Sequence, residues 1–375
     1  MKAHADRPQA DRPSFGTDPK PYYLAVGVLC LLELVRRAFL GYVPDDFTAY
    51  LSAADVFAAG QHPYGEAGLA AERYAGKPYN YLPGTLYFIW PLHALSTATA
   101  VALDWVARCA ALLFALRVMW RRIAPDLPFQ FVLLVAVAHQ PLLVDLLFGN
   151  VTTYLLAAWA GCVWVAHRPR TVATCFAAAF CGLVLSFKPF WVLSGLFVLG
   201  AKRRWVELGC AAAGAAVVVV ASLPFLDILG QYRDHLAAMA EFYYSVALMT
   251  FAPALIPVVA AAWLAAGVAL VRRNPGDAWI WSACAIVFWP RLGTYSYTMT
   301  LPVVLFFIAR WGWLRGLAAS AVLVGPIPWL LRTAPGFEKA FLLEAWTHWI
   351  WVWLAAVAVF VSVWRLGDRD TVRNT

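Results

Sequence analysis

The chain alternates long apolar runs with short polar breaks, and those runs set its architecture. From about residue 22 onward they stay apolar for close to a bilayer crossing, which takes roughly 20 residues of helix. Strands of a closed barrel alternate apolar and polar positions instead, so the pattern predicts an all-α polytopic membrane protein. Spans are expected at 22–41, 98–119, 127–147, 151–167, 171–187, 189–201, 205–224, 251–271, 277–290, 296–310, 314–331 and 345–365, about twelve transmembrane helices by length and apolarity. Residues 81–97 are also apolar but are broken by Pro83 and Pro91. A crossing there would strand Arg117, Arg121 and Arg122 on the outer side, so this segment is expected to be re-entrant or interfacial.

The one long polar interruption in the first half runs from Pro44 to Pro83. It opens with Asp45 and Asp46 and interleaves acids with rings and turn-formers: Phe47, Tyr50, Gly60, Pro63, Tyr64, Tyr79, Tyr81. A helix beginning at Asp46 puts Tyr50, Ala53, Ala54 and Phe57 on one face, which fixes the direction of Asp46 toward the protein. Consecutive helical residues point about 100° apart, so Asp45 is expected to face water or headgroups.

Composition agrees with the membrane class. Hydrophobic residues make up 62% of the chain and charged ones 13%, where a soluble domain carries about a quarter charged. The net charge of +8 does not call for nucleic acid, because Lys and Arg fall in short clusters beside apolar runs, as orientation signals do. Residues 1–20 lack a signal-peptide cleavage site and are expected to be a disordered cytoplasmic tail. A single transmembrane domain then covers 21–366, with 44–97 as a large first extracytoplasmic loop and 367–375 as a second cytoplasmic tail. The expected location is the cytoplasmic (inner) membrane. The seven cysteines sit inside apolar runs, and the histidines have no ligand spacing, so neither disulfides nor a metal site is expected.

Charges within spans are the natural functional candidates. Glu33, Arg36 and Arg37 share one helix face, as do Asp104 and Arg108. The second pair also fits simple internal neutralisation. Arg36 can hold a phosphate in its planar fork. Lys188, at an outer helix junction before Pro189, either snorkels to the headgroups or neutralises a bound phosphate. Arg291, a cation on the outer side, invites an anionic ligand. In the polar loop, carboxylates accept hydroxyl hydrogen bonds or take a proton, and the rings of Tyr50, Tyr64 and Tyr81 offer faces to a sugar. Asp45 is a further hydroxyl acceptor there, or simply an exposed acid.

These residues resemble the GT-C-fold glycosyltransferases that use polyprenyl-phosphate sugars, above all glycosyltransferase family 87, which includes phosphatidylinositol-mannoside mannosyltransferases. The resemblance rests on Asp46-Phe47 with Tyr50, Gly60 with Pro63-Tyr64, Tyr81 with Pro83, Gly149-Asn150, Lys188-Pro189 and Pro290. It implies a GT-C-like fold, an essential acid in the first outer loop matched by Asp46, and an extracytoplasmic site. The chain departs from the family at Leu82-Pro83, at Gly149-Asn150, and after Pro290, where Tyr295, Ser296 and Tyr297 stand in place of histidines. Asn150 and Tyr295 join the candidate sugar or acceptor contacts on this basis.

The expected activity is inverting transfer of a sugar, with mannose the first choice, from a polyprenyl-phosphate donor to a lipid or glycan acceptor. Asp46 is the expected base, and Lys188, Arg36 and Arg291 the phosphate cations. Membrane lipids are the other expected partners; no cofactor and no nucleic acid are expected. A transporter or flippase of a lipid-linked sugar is the alternative, and a scaffold in envelope assembly a third reading. A carrier would set its charges on broken helices at mid-membrane, whereas the acids here gather in an outer loop.

Overall fold

The computed structural model describes residues 43–64, 79–234, 253–288, 294–324 and 337–373, and among these it is all-helical, without strands. The helices are α1 (Asp45–Ala58), α2 (Thr97–Ile123), α3 (Phe129–Ala138), α4 (Gln140–Phe148), α5 (Thr152–Ala166), α6 (Val172–Leu185), α7 (Phe190–Ala201), α8 (Trp205–Ala221), α9 (Ile256–Arg273), α10 (Leu301–Trp311), α11 (Trp313–Ala319) and α12 (Phe337–Arg373). The expected first span 22–41, with Arg36, lies outside the described residues, and so does Arg291.

Among the described residues, three helical stretches are long and apolar enough to cross a membrane: α2, α9 and Thr347–Gly367 of α12. The count is five if two bent pairs each make one span, namely α4 with α5 and α8 with Leu223–Asp234. Several expected spans are shorter or broken. The run 127–147 splits at His139, whose ψ of 98° leaves the helical region. Pro141 is the cause: inside a helix its ring would clash with a carbonyl four residues back, whereas in the first turn of α4 its missing N–H costs nothing. Residues 278–288 form a 3₁₀ helix instead of an α-helix, and its described side chains are buried. In 81–97 the structure has only a four-residue helix, Leu86–Ile89, between 3₁₀ turns Pro83–Thr85 and Trp90–Ala94.

Outward apolar stripes mark the lipid-facing side. Val172, Phe176 and Phe180 on α6 recur every four residues and are all exposed, a pattern that hydrocarbon tolerates and water does not. On its other face α6 meets α8 through Gly182 and Gly214. A Cβ on Gly182 would fall 1.9 Å from the carbonyl oxygen of Ala211, and one on Gly214 equally close to that of Ala179. Small residues allow this backbone approach, the usual means of joining helices where no hydrophobic force acts between them.

Candidate active site

The site begins with an elbow. Helix α4 ends at Gly149, whose φ of +73° is the left-handed cap that glycine adopts without cost. The chain then turns so sharply that α5 leaves at 120° to α4. A Cβ on Gly149 would lie 2.7 Å from Cβ of Pro44 and 3.1 Å from Cβ of Phe47, so the missing side chain also lets the start of α1 press against the elbow.

Two buried ionic groups hold that turn from within. Asp145 on α4 accepts hydrogen bonds from the backbone N–H of Thr153, at 2.8 Å, and from its hydroxyl, which caps the first turn of α5. Arg108 on α2 is 1% exposed. Its guanidinium donates to the carbonyl of Gly149 at 2.6 Å, to the carbonyl of Asn150, and to Asp104 at 2.6 Å. The Tyr154 hydroxyl donates to the same Asp104 carboxylate, at 2.8 Å. The Asp104–Arg108 pair therefore does more than neutralise itself: it fixes two consecutive carbonyls of the elbow.

Fixing the backbone there aims the side chain of Asn150, which is 4% exposed. Its Nδ2 donates to Asp46 Oδ2 at 2.8 Å, and its Oδ1 accepts from Lys188 Nζ at 3.0 Å and from the Thr152 hydroxyl at 3.0 Å. Lys188 also donates to that hydroxyl, at 3.2 Å. A carboxylate only accepts and an ammonium only donates, so these partners dictate which way the amide lies. One amide thus joins the acid of the polar loop to the cation of the turn between α6 and α7. Asp46 and Lys188 are both half-buried, whereas Asp45 is exposed. Burial pushes the Lys188 ammonium down to about 8, against the negative charges of Asp145 and Asp46, which hold it up.

A group of tyrosines adjoins Asp46. Tyr50, Tyr64 and Tyr81 are buried; the rings of Tyr50 and Tyr81 pack on each other and all three pack on Tyr79, at centroid distances of 5.3 to 6.2 Å. The hydroxyls of Tyr50 and Tyr81 share a hydrogen bond of 2.7 Å, and that of Tyr64 donates to the Tyr81 carbonyl at 2.7 Å. Burial raises Tyr50 and Tyr81 well above the ordinary tyrosine range, with the nearby charge of Asp46 adding to it. Both are therefore neutral hydroxyls beside that carboxylate.

Of the expected site residues, the structure brings Asp46, Tyr50, Tyr64, Tyr81, Asn150 and Lys188 into one place. Tyr295 lies in the 3₁₀ stretch Thr294–Thr300, which packs against α4. Sequence reasoning passed over Asp145, Thr152 and the second role of Arg108. The available signal was an acid in an apolar run, four residues before Gly149-Asn150 and eight before Thr153. Among the described residues no cluster of His, Cys, Asp and Glu could hold a metal ion.

Residues 79–248 match the sequence profile of glycosyltransferase family 87. That stretch contains Tyr81, the Gly149-Asn150 elbow and Lys188, while Asp46 precedes it. No curated protein and no solved structure matches the chain. The chain therefore resembles glycosyltransferase family 87 over these residues, and the match supports a glycosyltransferase, with a sugar donor and an acceptor as its substrates.

Proposed function

We propose that the protein is an inverting glycosyltransferase that moves a sugar, with mannose the first choice, from a polyprenyl phosphate to an acceptor hydroxyl on the extracytoplasmic side. The observation that carries this reading is the Asn150 amide bridging Asp46 and Lys188. Direct displacement needs a base on the acceptor side and a cation on the leaving-group side, held at fixed separation. Asp46 takes the acceptor proton as its oxygen bonds to the anomeric carbon. The bond from that carbon to the phosphate oxygen breaks, and its electron pair leaves with the phosphate, stabilised by Lys188. A phosphate departs already charged, so no acid is required. Arg36 and Arg291 are assigned to the same phosphate, outside the described residues. Tyr50, Tyr64, Tyr81 and Asn150 are assigned to the sugar, the Tyr50 and Tyr81 hydroxyls being held to each other, and Asp45 and Tyr295 are assigned to the acceptor.

The test is sugar transfer from a polyprenyl-phosphate donor by variants at equal expression. Asp46→Asn keeps shape but cannot take a proton, and loss of a general base costs about 10²–10⁴ in rate. Asp45→Asn retains most activity. Near-normal transfer by Asp46→Asn removes it from this role.

The reading also requires an orientation. We place both termini in the cytoplasm of an inner-membrane protein of about twelve spans, with 81–97 not crossing, because every basic turn then falls inside. A cysteine introduced at Ser96 in a cysteine-free background is expected to react with impermeant reagent from the outer side. Labelling only from the cytoplasm contradicts that arrangement.

A further inference from the structure

Helix α2 carries a second group of charges at its far end. Arg117, Arg121 and Arg122 near its C-terminus, and Arg168 just beyond α5, line a cavity of about 330 Å³ together with Phe114, Val118 and Trp164. At 1.5 Å per residue, Arg121 stands about 20 Å along the helix from Arg108. Arg108 lies near the middle of α2 and the cavity at its C-terminal end, so the cavity is separate from the Asp46 cluster and does not depend on the transferase reading.

The four arginines are exposed, and none of them forms an ion pair among the described residues. Arg122 feels the charges of both Arg168 and Arg121, and Arg168 lies over the Trp164 ring, 5.1 Å from its centroid. Like charges held this close favour an anion between them. The walls between the arginine stems are largely apolar, so long side chains can lie along the cavity while their guanidinium groups reach the headgroup level. A soluble anion makes no use of such walls. Orientation alone needs positive charge on this side of the membrane, but neither a cavity nor the planar fork of arginine.

We propose that this cavity binds an anionic phospholipid of the leaflet at that end, its phosphate held by the arginine forks and one acyl chain lying along Phe114, Val118 and Trp164. The experiment uses the full chain purified in detergent, with bound lipid counted by native mass spectrometry against phosphatidylglycerol and phosphatidylcholine. A fourfold Arg117/Arg121/Arg122/Arg168→Lys variant keeps the charge that sets orientation and loses the forks. Wild type is expected to retain phosphatidylglycerol at least tenfold better than phosphatidylcholine, and the lysine variant to lose most of that preference with an unchanged thermal midpoint in lipid-free detergent. Glycerol phosphate, which has the headgroup charge and no chain, is expected not to displace the lipid from wild type. An unchanged preference in the lysine variant assigns the arginines to orientation and overturns the proposal. Equal retention of both lipids in wild type, or full displacement by glycerol phosphate, overturns it equally, and both are read without the variant.

Discussion

Arg108 and Arg121 share one helix and do opposite things. Arg108 is sealed from solvent, and its guanidinium bonds to Asp104 and to the carbonyls of Gly149 and Asn150. Arg121 is exposed at a cavity and forms no ion pair among the described residues. A charge in the interior must be fully engaged to exist there, and so becomes part of the scaffold. A charge at the surface need not be engaged, and so stays available to a ligand. The same residue type is a clamp near the middle of α2 and a candidate lipid contact near its C-terminal end.

The sharpest way to break that comparison is to truncate both. Arg108→Met leaves Asp104 and two carbonyls buried without their donor, and removing one partner of a buried pair costs about 3–5 kcal/mol. Thermal midpoint in detergent is expected to fall steeply, and sugar transfer with it. Arg121→Met is expected to stay within about 0.5 kcal/mol of wild type, as exposed substitutions do. Equal effects would mean that burial does not separate the two roles.

A smaller effect sharpens the chemistry at the elbow. Lys188 is cationic below about pH 8 in the free protein, and only the cation attracts phosphate. Its proton leaves as pH rises, so kcat/KM is expected to fall above about pH 8. Lys188→Arg keeps its charge at every accessible pH, so this alkaline limb is expected to vanish even if the overall rate drops. A limb unmoved by the substitution belongs to another group.

Much of this was legible in the sequence, and the limits are physical. The apolar runs announced a helical membrane protein because hydrocarbon forces that pattern. The helix α1 was legible only in part: Tyr50, Ala53 and Ala54 are buried and Asp45 is the exposed acid of the pair, but Phe57 is half-buried and Phe47, Ala49, Leu51, Ser52 and Val56 are buried as well, so α1 is enclosed on more than the one face its spacing suggested. The elbow was not legible, because Asn150 meets Asp46 across 104 positions and Lys188 across 38, and no local period encodes such meetings. Arg108 was half read, since Asp104 at i−4 supplied a sufficient local explanation and concealed the two carbonyls. The tyrosines show a related limit. Composition marks rings suited to a sugar, but only packing shows that Tyr50 and Tyr81 spend their hydroxyls on each other.

The central claim is that one amide couples the base to the phosphate cation. Steady-state transfer by Asn150→Ala, set beside Asp46→Asn and Lys188→Ala, tests it most directly. Asp46→Asn is expected to lower kcat and Lys188→Ala to raise KM for the donor. Asn150→Ala loses hydrogen bonds to two charged groups, each worth about 1.5–3 kcal/mol. It is expected to do both, lowering kcat and raising donor KM each by about tenfold or more, with the folded protein intact. An Asn150→Ala enzyme with both constants near wild type would contradict the coupling.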